Sequence, residues 1–314
     1  MLRFAFRRLM VAVPIVFAVA TLSFFLVQLV PGSPAAAILG VNASKADVTA
    51  LDHNLGLDRP VISQYGTWIS HAIQGSLGGS FVNGQSVSDV LAQALPPTLS
   101  LALVSTLLTL LLGTALGMLA AVKGGHADRT VQWLGSLGMA IPNFWLAAVL
   151  VFLFAIKVPV LPASGYAELT TDGFGPWLTH LLLPAVALSA ANLGQIAFQA
   201  RAAVQDVLSR DFVRTLHATG VPRRRILFKH VLRNAAIPVV TVAGLTFVFT
   251  LGGVVVLELI FNFPGMGNLM LRSVQTHDFS VVQGGVLYFS LVVIVINLAV
   301  EFLTATLDPR VRVR

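Results

Sequence analysis

The chain has 314 residues, 56% of them hydrophobic and only 11% charged, with a formal net charge of +7 and no cysteine. Charges this sparse cannot cover a soluble domain of that size, so an integral membrane protein is expected, and the missing thiols exclude disulfides, thiolate metal sites and cysteine nucleophiles. The basic excess does not point to nucleic acid, because Lys and Arg gather at the ends of apolar runs rather than along a polar, aromatic-rich face.

Taken in chain order, Arg3, Arg7 and Arg8 precede an apolar run from Leu9 to Val30. That run is too long for a signal peptide and lacks a small-residue cleavage site, so it is predicted to be a retained first span, 9–30. Residues 31–97 form a long external region, opening with PGSP and closing with LPPT, both helix-boundary signals. Inside it Val61, Ile62, Tyr65, Trp68, Ile69, Ala72 and Ile73 recur at helical spacing. They predict an amphipathic helix, either interfacial with Tyr65 and Trp68 at headgroup level or packed under the outer mouth. Further spans are predicted at 98–122, 132–156, 178–200, 236–257 and 284–306, with Pro142 and Pro184 tolerated inside a bundle. The second outer loop, 258–283, carries ELIFNFPGMGN, where Pro264, Gly265 and Gly267 predict a turn.

Orientation follows from the cations. With the N-terminus inside, sixteen Lys and Arg residues fall on the inner side and four (Lys45, Arg59, Lys157, Arg272) on the outer. The positive-inside rule then puts both termini in the cytoplasm.

The densest basic stretch lies inside, at 201–235. RAAVQDVLSRDFVRTLHATG reads as a helix closed by Gly220, VPRRR restarts the chain at Pro222, and Ile226, Leu227, Val231 and Leu232 form one apolar strip. The reading is a cytoplasmic helix–turn–helix. Either its arginines simply hold anionic headgroups, or it docks a soluble partner; thirty-odd residues with a Gly-x-Pro corner exceed what a tether needs, which favours docking.

Enzyme chemistry is not expected. There is no GxxxxGK[ST], HExxH or GxSxG, and the histidines at 53, 71, 126, 180, 217, 230 and 277 never reach metal-ligand spacing with a carboxylate on one helix face. No metal and no cofactor is expected in this chain. Polar residues at membrane depth are candidates for a path: Asn143, Asn192, Gln195, Gln199 and Glu258, with Asn192, Gln195 and Gln199 on one face of span four. Such a stripe suits peptide amides leaving water, or bonds neighbouring helices. Glu258, at the outer end of span five, is expected to stay solvated or to meet a peptide ammonium; Gly252 and Gly253 allow close helix approach or a hinge, with packing the favoured reading.

Several stretches, LVPGSP, LGLDRPVISQYGTWI, LPPTLSLAL, AIPNFWLA, VRTLHATGVPRRRILFKHVLRNAAIPVVT, LELIFNFPGMG and LDPRVR, resemble in order the permease subunits of ABC importers of the dipeptide/oligopeptide/nickel class, the first of the two paired permeases. The resemblance implies an all-α membrane protein of type I importer permease architecture, a single permease domain over 1–314. It implies a paralogous second permease, two ATPase subunits or one fused ATPase, an extracytoplasmic solute-binding protein, a peptide cargo, and a bacterial inner membrane as the place of work. On it, Arg214, Thr215, Leu216, His217, Ala218, Thr219, Gly220, Val221, Pro222 and Arg223 become the ATPase-coupling segment, and Tyr65, Trp68, Asn262, Pro264 and Gly265 the binding-protein docking candidates. Leu216, His217 and Thr219 replace the family's usual Ala, Arg and Lys, and Ser76 stands where an acid is common. The alternatives are an ion-gradient carrier without ATPases, which would need inverted repeats and a midplane acid, or a nickel, haem or glutathione importer of the same class.

Overall fold

A computed structural model describes residues 2–40 and 42–307, with side chains for 10–40 and 42–302. Arg310, Arg312 and Arg314 and the side chains of Arg3, Arg7 and Arg8, which carry part of the charge bias, lie outside the described residues. Among the described residues regular structure is helical, apart from one isolated bridge between Gly79 and Ser86.

In order, the helices are α1 Leu2–Val27, α2 Pro34–Leu39, α3 Lys45–Leu55, α4 Val61–Ile73, α5 Val87–Lys123, α6 Gly125–Ala140 and α7 Asn143–Val151. There follow α8 Phe174–Ser209, α9 Asp211–Ala218, α10 Arg223–Arg225, α11 Leu232–Ile260, α12 Met266–Gln275 and α13 Phe279–Leu307. Two stretches, Phe152–Lys157 after α7 and Ile226–Val231 between α10 and α11, are wound as wider π turns. Among the described residues five helices are long and apolar enough to cross a membrane; α6 and α7 qualify together as a sixth element, bent by 95°.

Contacts divide the chain into two units. Unit 1 holds Met1–Pro96 and Pro264–Val295. Its short helices are fixed by local caps: Ser33 Oγ accepts from the Ala35 and Ala36 amides with Pro34 in the first turn, and Ser44 Oγ accepts from Asp47 N. Gly56, at φ +70, closes α3 in the left-handed conformation that costs an L residue a Cβ clash. Val87, Leu91, Ala94, Met266 and Val281 make the core, joined by Leu77, Tyr288 and Phe289.

Unit 2 holds Pro97–Phe263 and Ile296–Arg314. Here α8 is the central post, and it touches α5, α6, α7 and α11. Small residues permit this. A Cβ on Gly117 of α5 would stand 2.4 Å from Ala197 O, and one on Gly194 of α8 would stand 2.4 Å from Gly135 O of α6. Those helices therefore meet backbone to backbone, as membrane helices do when they lack a hydrophobic drive to associate.

Several sequence expectations change in detail. The boundary signal LPPT does not start a span: helix runs unbroken from Val87 across Pro96 and Pro97. Each proline removes one i→i−4 bond, a loss that packed neighbours in a bundle offset. The span predicted at 132–156 is two helices meeting at Ile141–Pro142, because proline disfavours helix in the residue before it, and Ile141 is extended at φ −80, ψ 124. Gly252 is not a packing glycine, since a Cβ there meets nothing within 4 Å; Gly253 has only ordinary contacts, 3.6 Å from Leu188 and 3.8 Å from Asn143.

Candidate coupling segment and translocation path

The 201–220 stretch is not one helix. Residues up to Ser209 belong to α8, and Arg210, extended at φ −73, ψ 146, turns the chain into the separate α9. Two ion pairs flank the corner, Arg210 Nη2 to Asp206 Oδ2 at 2.7 Å and Arg214 Nη1 to Asp211 Oδ1 at 3.4 Å. Both are exposed and worth little on their own. The apolar side of α9 does the fixing: Val213 is 2% exposed and Leu216 packs on the same cluster as Val204, Val207, Ile226 and Val231.

The end of α9 is a Schellman motif. Val221 N donates to Leu216 O at 3.1 Å and Gly220 N to His217 O at 3.1 Å, with Gly220 at φ +76. Val221 also packs beside Leu216, the apolar contact that accompanies this cap. What remains outward is Arg214, Thr215, His217, Ala218, Thr219, Gly220, Pro222 and Arg223. Next to them a cavity of about 230 Å³ is lined by His217, Arg223, Val122, Leu208, Ile226 and Leu227. The segment is thus a rigid, outward-facing helix on an apolar base. Behind it, Asp128 of α6 takes both the Nε and the Nη2 of Arg201, the latter at 2.6 Å, and so ties α6 to α8.

The apolar strip expected after Pro222 is sorted by the π turn. Ile226 and Val231, five residues apart, are both buried and Ala235 follows, whereas Leu227 and Leu232 are half-buried. Pro238 lies inside α11.

The polar stripe of span four divides. Asn192 Nδ2 donates to Thr250 Oγ1 at 3.1 Å, joining α8 to α11, while Gln195 is exposed and Gln199 half-buried. Asn143, at the start of α7, accepts from Phe144 N at 2.8 Å and lies beside Gly253, one turn from Thr250. The sequence pattern singles out amides and acids but not the hydroxyls. Ser105, Thr109 and Thr250 are buried and donate to carbonyls four residues back, and Thr109 Oγ1 also reaches Ser189 O at 3.5 Å. Their signal was the i, i+4 spacing of Ser105 with Thr109 and of Thr246 with Thr250.

Glu258 is not solvated. It is 0% exposed and its Oε1 accepts from Thr98 Oγ1 at 2.5 Å. The helix end is turned inward by its own loop: Phe263 N donates to Glu258 O at 2.8 Å, Gly165 N donates to Phe261 O at 2.8 Å, and Phe261 and Phe263 are buried. The residue in left-handed conformation in this loop is Asn262, φ 51, not one of the glycines.

Among the outer docking candidates, Tyr65 and Trp68 pack on α1. Tyr65 Oη and Thr21 Oγ1 share a hydrogen bond of 2.7 Å, and the Phe24 ring lies 5.3 Å from Tyr65 and 5.7 Å from Trp68. Gly265 is buried, so Asn262 and Pro264 are the exposed members of the loop set. Trp68 also lines a cavity of about 800 Å³ in unit 1, with Gln28, Ser33, Asp52, Asp58 and Arg59. On its rim the hydrogen bond from His53, 2.6 Å away, holds the Asp58 carboxyl below the usual carboxylate range.

A set of long apolar helices around a glycine-lined post, with polar side chains inside and a rigid helix presented outward, defines a multi-span membrane transport component. The chain belongs to the family of binding-protein-dependent transport system inner membrane components: that family's model matches residues 113–313, and the model of its N-terminal part matches 1–102. It is similar to a probable peptide ABC transporter permease protein of Sinorhizobium fredii, 36% identical over 98% of both chains. The glutathione transport system permease protein GsiC of Escherichia coli is 39% identical over 99% of both. A putative peptide transport system permease protein of Brucella abortus is 37% identical over 98% of both. Among solved structures, the MetNI methionine ABC transporter in inward-facing conformations shares the fold, with a TM-score of 0.56 at 17% identity over 70% of this chain and 96% of that one. The protein is a permease of an ABC importer, a subunit that is not itself catalytic.

Proposed function

We propose that this permease carries peptides inward across a bacterial inner membrane, as half of a pathway completed by a paralogous permease. Two cytoplasmic ATPase subunits, or one fused ATPase, drive it, and an extracytoplasmic binding protein delivers the cargo. The peptide and glutathione permeases among its relatives support this cargo class, glutathione being itself a tripeptide. The sixteen-to-four charge bias supports a cytoplasmic side for both termini and α9.

The observation that carries the coupling reading is the build of α9: Val213 and Leu216 anchor it, while Arg214, Thr215, His217, Ala218 and Thr219 face outward. A helix held so firmly by its own chain passes on rigid-body motion rather than absorbing it. Leu216, Gly220 and Val221 act through the shape of the segment; the outward set, with Pro222 and Arg223, meets the ATPase. For the path, Gln195 and Gln199 are the polar groups open to a passing amide, whereas Asn192, Asn143 and Glu258 hold the walls. For the binding protein, Asn262 and Pro264 offer surface, while Tyr65 and Trp68 hold α4 against α1.

The test is uptake of a radiolabelled dipeptide into proteoliposomes holding the whole transporter with its binding protein. Ala218→Glu alters an exposed residue. It is expected to leave assembly of the two permeases intact and to cut both uptake and binding-protein-stimulated hydrolysis by more than about tenfold, the effect of losing roughly 1.4 kcal/mol of docking. Normal coupling in that variant would place the contact elsewhere. Uptake by the permeases without ATPases, down an ion gradient, would replace the importer reading with a carrier.

A further inference from the structure

The role given to α9, with Pro222 and Arg223, leaves the next stretch, residues 224–233, without an explanation. Arg224, Arg225, Lys229 and Arg233 are all exposed. None of the four forms an ion pair among the described residues, and the acids nearest in sequence are already engaged, Asp206 with Arg210 and Asp211 with Arg214. Like charges this dense repel one another, and an anion bound from outside the chain relieves that repulsion.

Two further observations say what kind. The π turn buries Ile226 and Val231 together, and this leaves the Phe228 ring 63% exposed among the cations. The same helical run then continues into α11, where Asn234–Leu257 contain no ionisable residue for 24 positions, about 36 Å of helix. That length exceeds the hydrocarbon core of a bilayer, so the cations stand at the depth of the headgroups.

We propose that this cluster is a binding site for an anionic phospholipid of the leaflet from which α11 enters the membrane. The guanidinium groups and the Lys229 ammonium hold the phosphate, for which arginine's planar fork is matched. The Phe228 ring inserts at the boundary of the acyl chains, as aromatic residues do at membrane interfaces. An acidic protein surface would account for the cations but not for an exposed aromatic ring at the first turn of a membrane helix. The inference requires only that α11 crosses a bilayer, and it stands independently of cargo and of the α9 contact.

The experiment uses the assembled transporter in nanodiscs that contain phosphatidylcholine alone or mixed with phosphatidylglycerol, with retained lipid counted by native mass spectrometry. The wild type is expected to keep phosphatidylglycerol in preference to phosphatidylcholine, and each neutralised cation lowers that preference roughly fivefold. The triple variant Arg224→Gln, Arg225→Gln, Lys229→Gln then approaches parity, while retention of the ATPase subunits reports an intact complex. Soluble glycerol 3-phosphate is expected not to displace the lipid. No preference in the wild type would overturn the proposal. So would displacement by glycerol 3-phosphate, which marks a plain phosphate site, or loss of the ATPase subunits with lipid preference kept, which marks a protein-docking face.

Discussion

Asp278 illustrates how much one buried carboxylate can organise. It is 4% exposed; its Oδ2 accepts from Ser80 Oγ and its Oδ1 from Phe81 N at 3.1 Å. Ser80 Oγ in turn accepts from Val82 N and Asn83 N, each at 3.2 Å, so a single side chain fixes the whole Ser80–Asn83 turn of unit 1. Removing the carboxylate orphans a hydroxyl and an amide together, which costs about 2 kcal/mol of local stability for bonds to a charged group. Asp278→Ala should therefore speed hydrogen exchange at the Phe81–Asn83 amides by about thirtyfold, with the α8 amides unchanged. Unchanged exchange at Phe81 would mean that the turn is held by its own backbone. The sequence offered no hint of this pair, because 198 residues separate Ser80 from Asp278 and neither belongs to a motif.

At the scale of elements, the long helices were legible because uncharged runs near 20 residues leave few other choices. The amphipathic α4 was legible from its spacing, and the closing of α9 from Gly220, whose positive φ a glycine alone adopts freely. Junctions were less legible. The break before Pro142 follows the local proline rule, but Pro96, Pro97, Pro184 and Pro238 lie within helices that the same rule would interrupt, and no proline or glycine marks the break at Arg210. Glycines show the same division. Gly113 and Gly117 form a G-x-x-x-G pair visible in LLLGTALGML, and the Gly117 backbone meets Ala197 O, whereas the adjacent pair Gly252–Gly253 looked equally suited to packing and is not used for it. Gly117→Ala should lower the thermal stability of the purified permease, since the clashing atom is backbone and cannot rotate away; overpacking of this kind costs about 1–3 kcal/mol. Gly252→Ala, with open space around it, should be neutral or gain up to about 1 kcal/mol of helix propensity. Equal effects in a thermal-unfolding assay would refute the assignment of α5 and α8 as a close-packed pair.

For the whole molecule the open quantity is the parity of membrane crossings, and the bent pair α6–α7 decides it. The proposed orientation has His126 inside and residues 158–173 outside, which requires that the pair, despite its 95° bend, crosses once. A re-entrant hairpin would instead return residue 170 to the side of His126 and reverse every later segment, carrying Thr219 and the cation cluster outside. Physical chemistry favours the crossing. Arg223, Arg224, Arg225, Lys229 and Arg233 on the outer face would set the most basic segment against the bias that governs insertion. The chain has no cysteine, so single cysteines can be read without background. Gln74→Cys, Thr170→Cys and Asn262→Cys are at exposed positions and should react with a membrane-impermeant maleimide in intact cells. His126→Cys and Thr219→Cys, also exposed, should react only after the membrane is opened. Labelling of Gln74→Cys but not Thr170→Cys in intact cells would identify the pair as re-entrant. The coupling role of α9 would then fall with it, because Thr219 would lie on the side of the membrane where no ATP is hydrolysed.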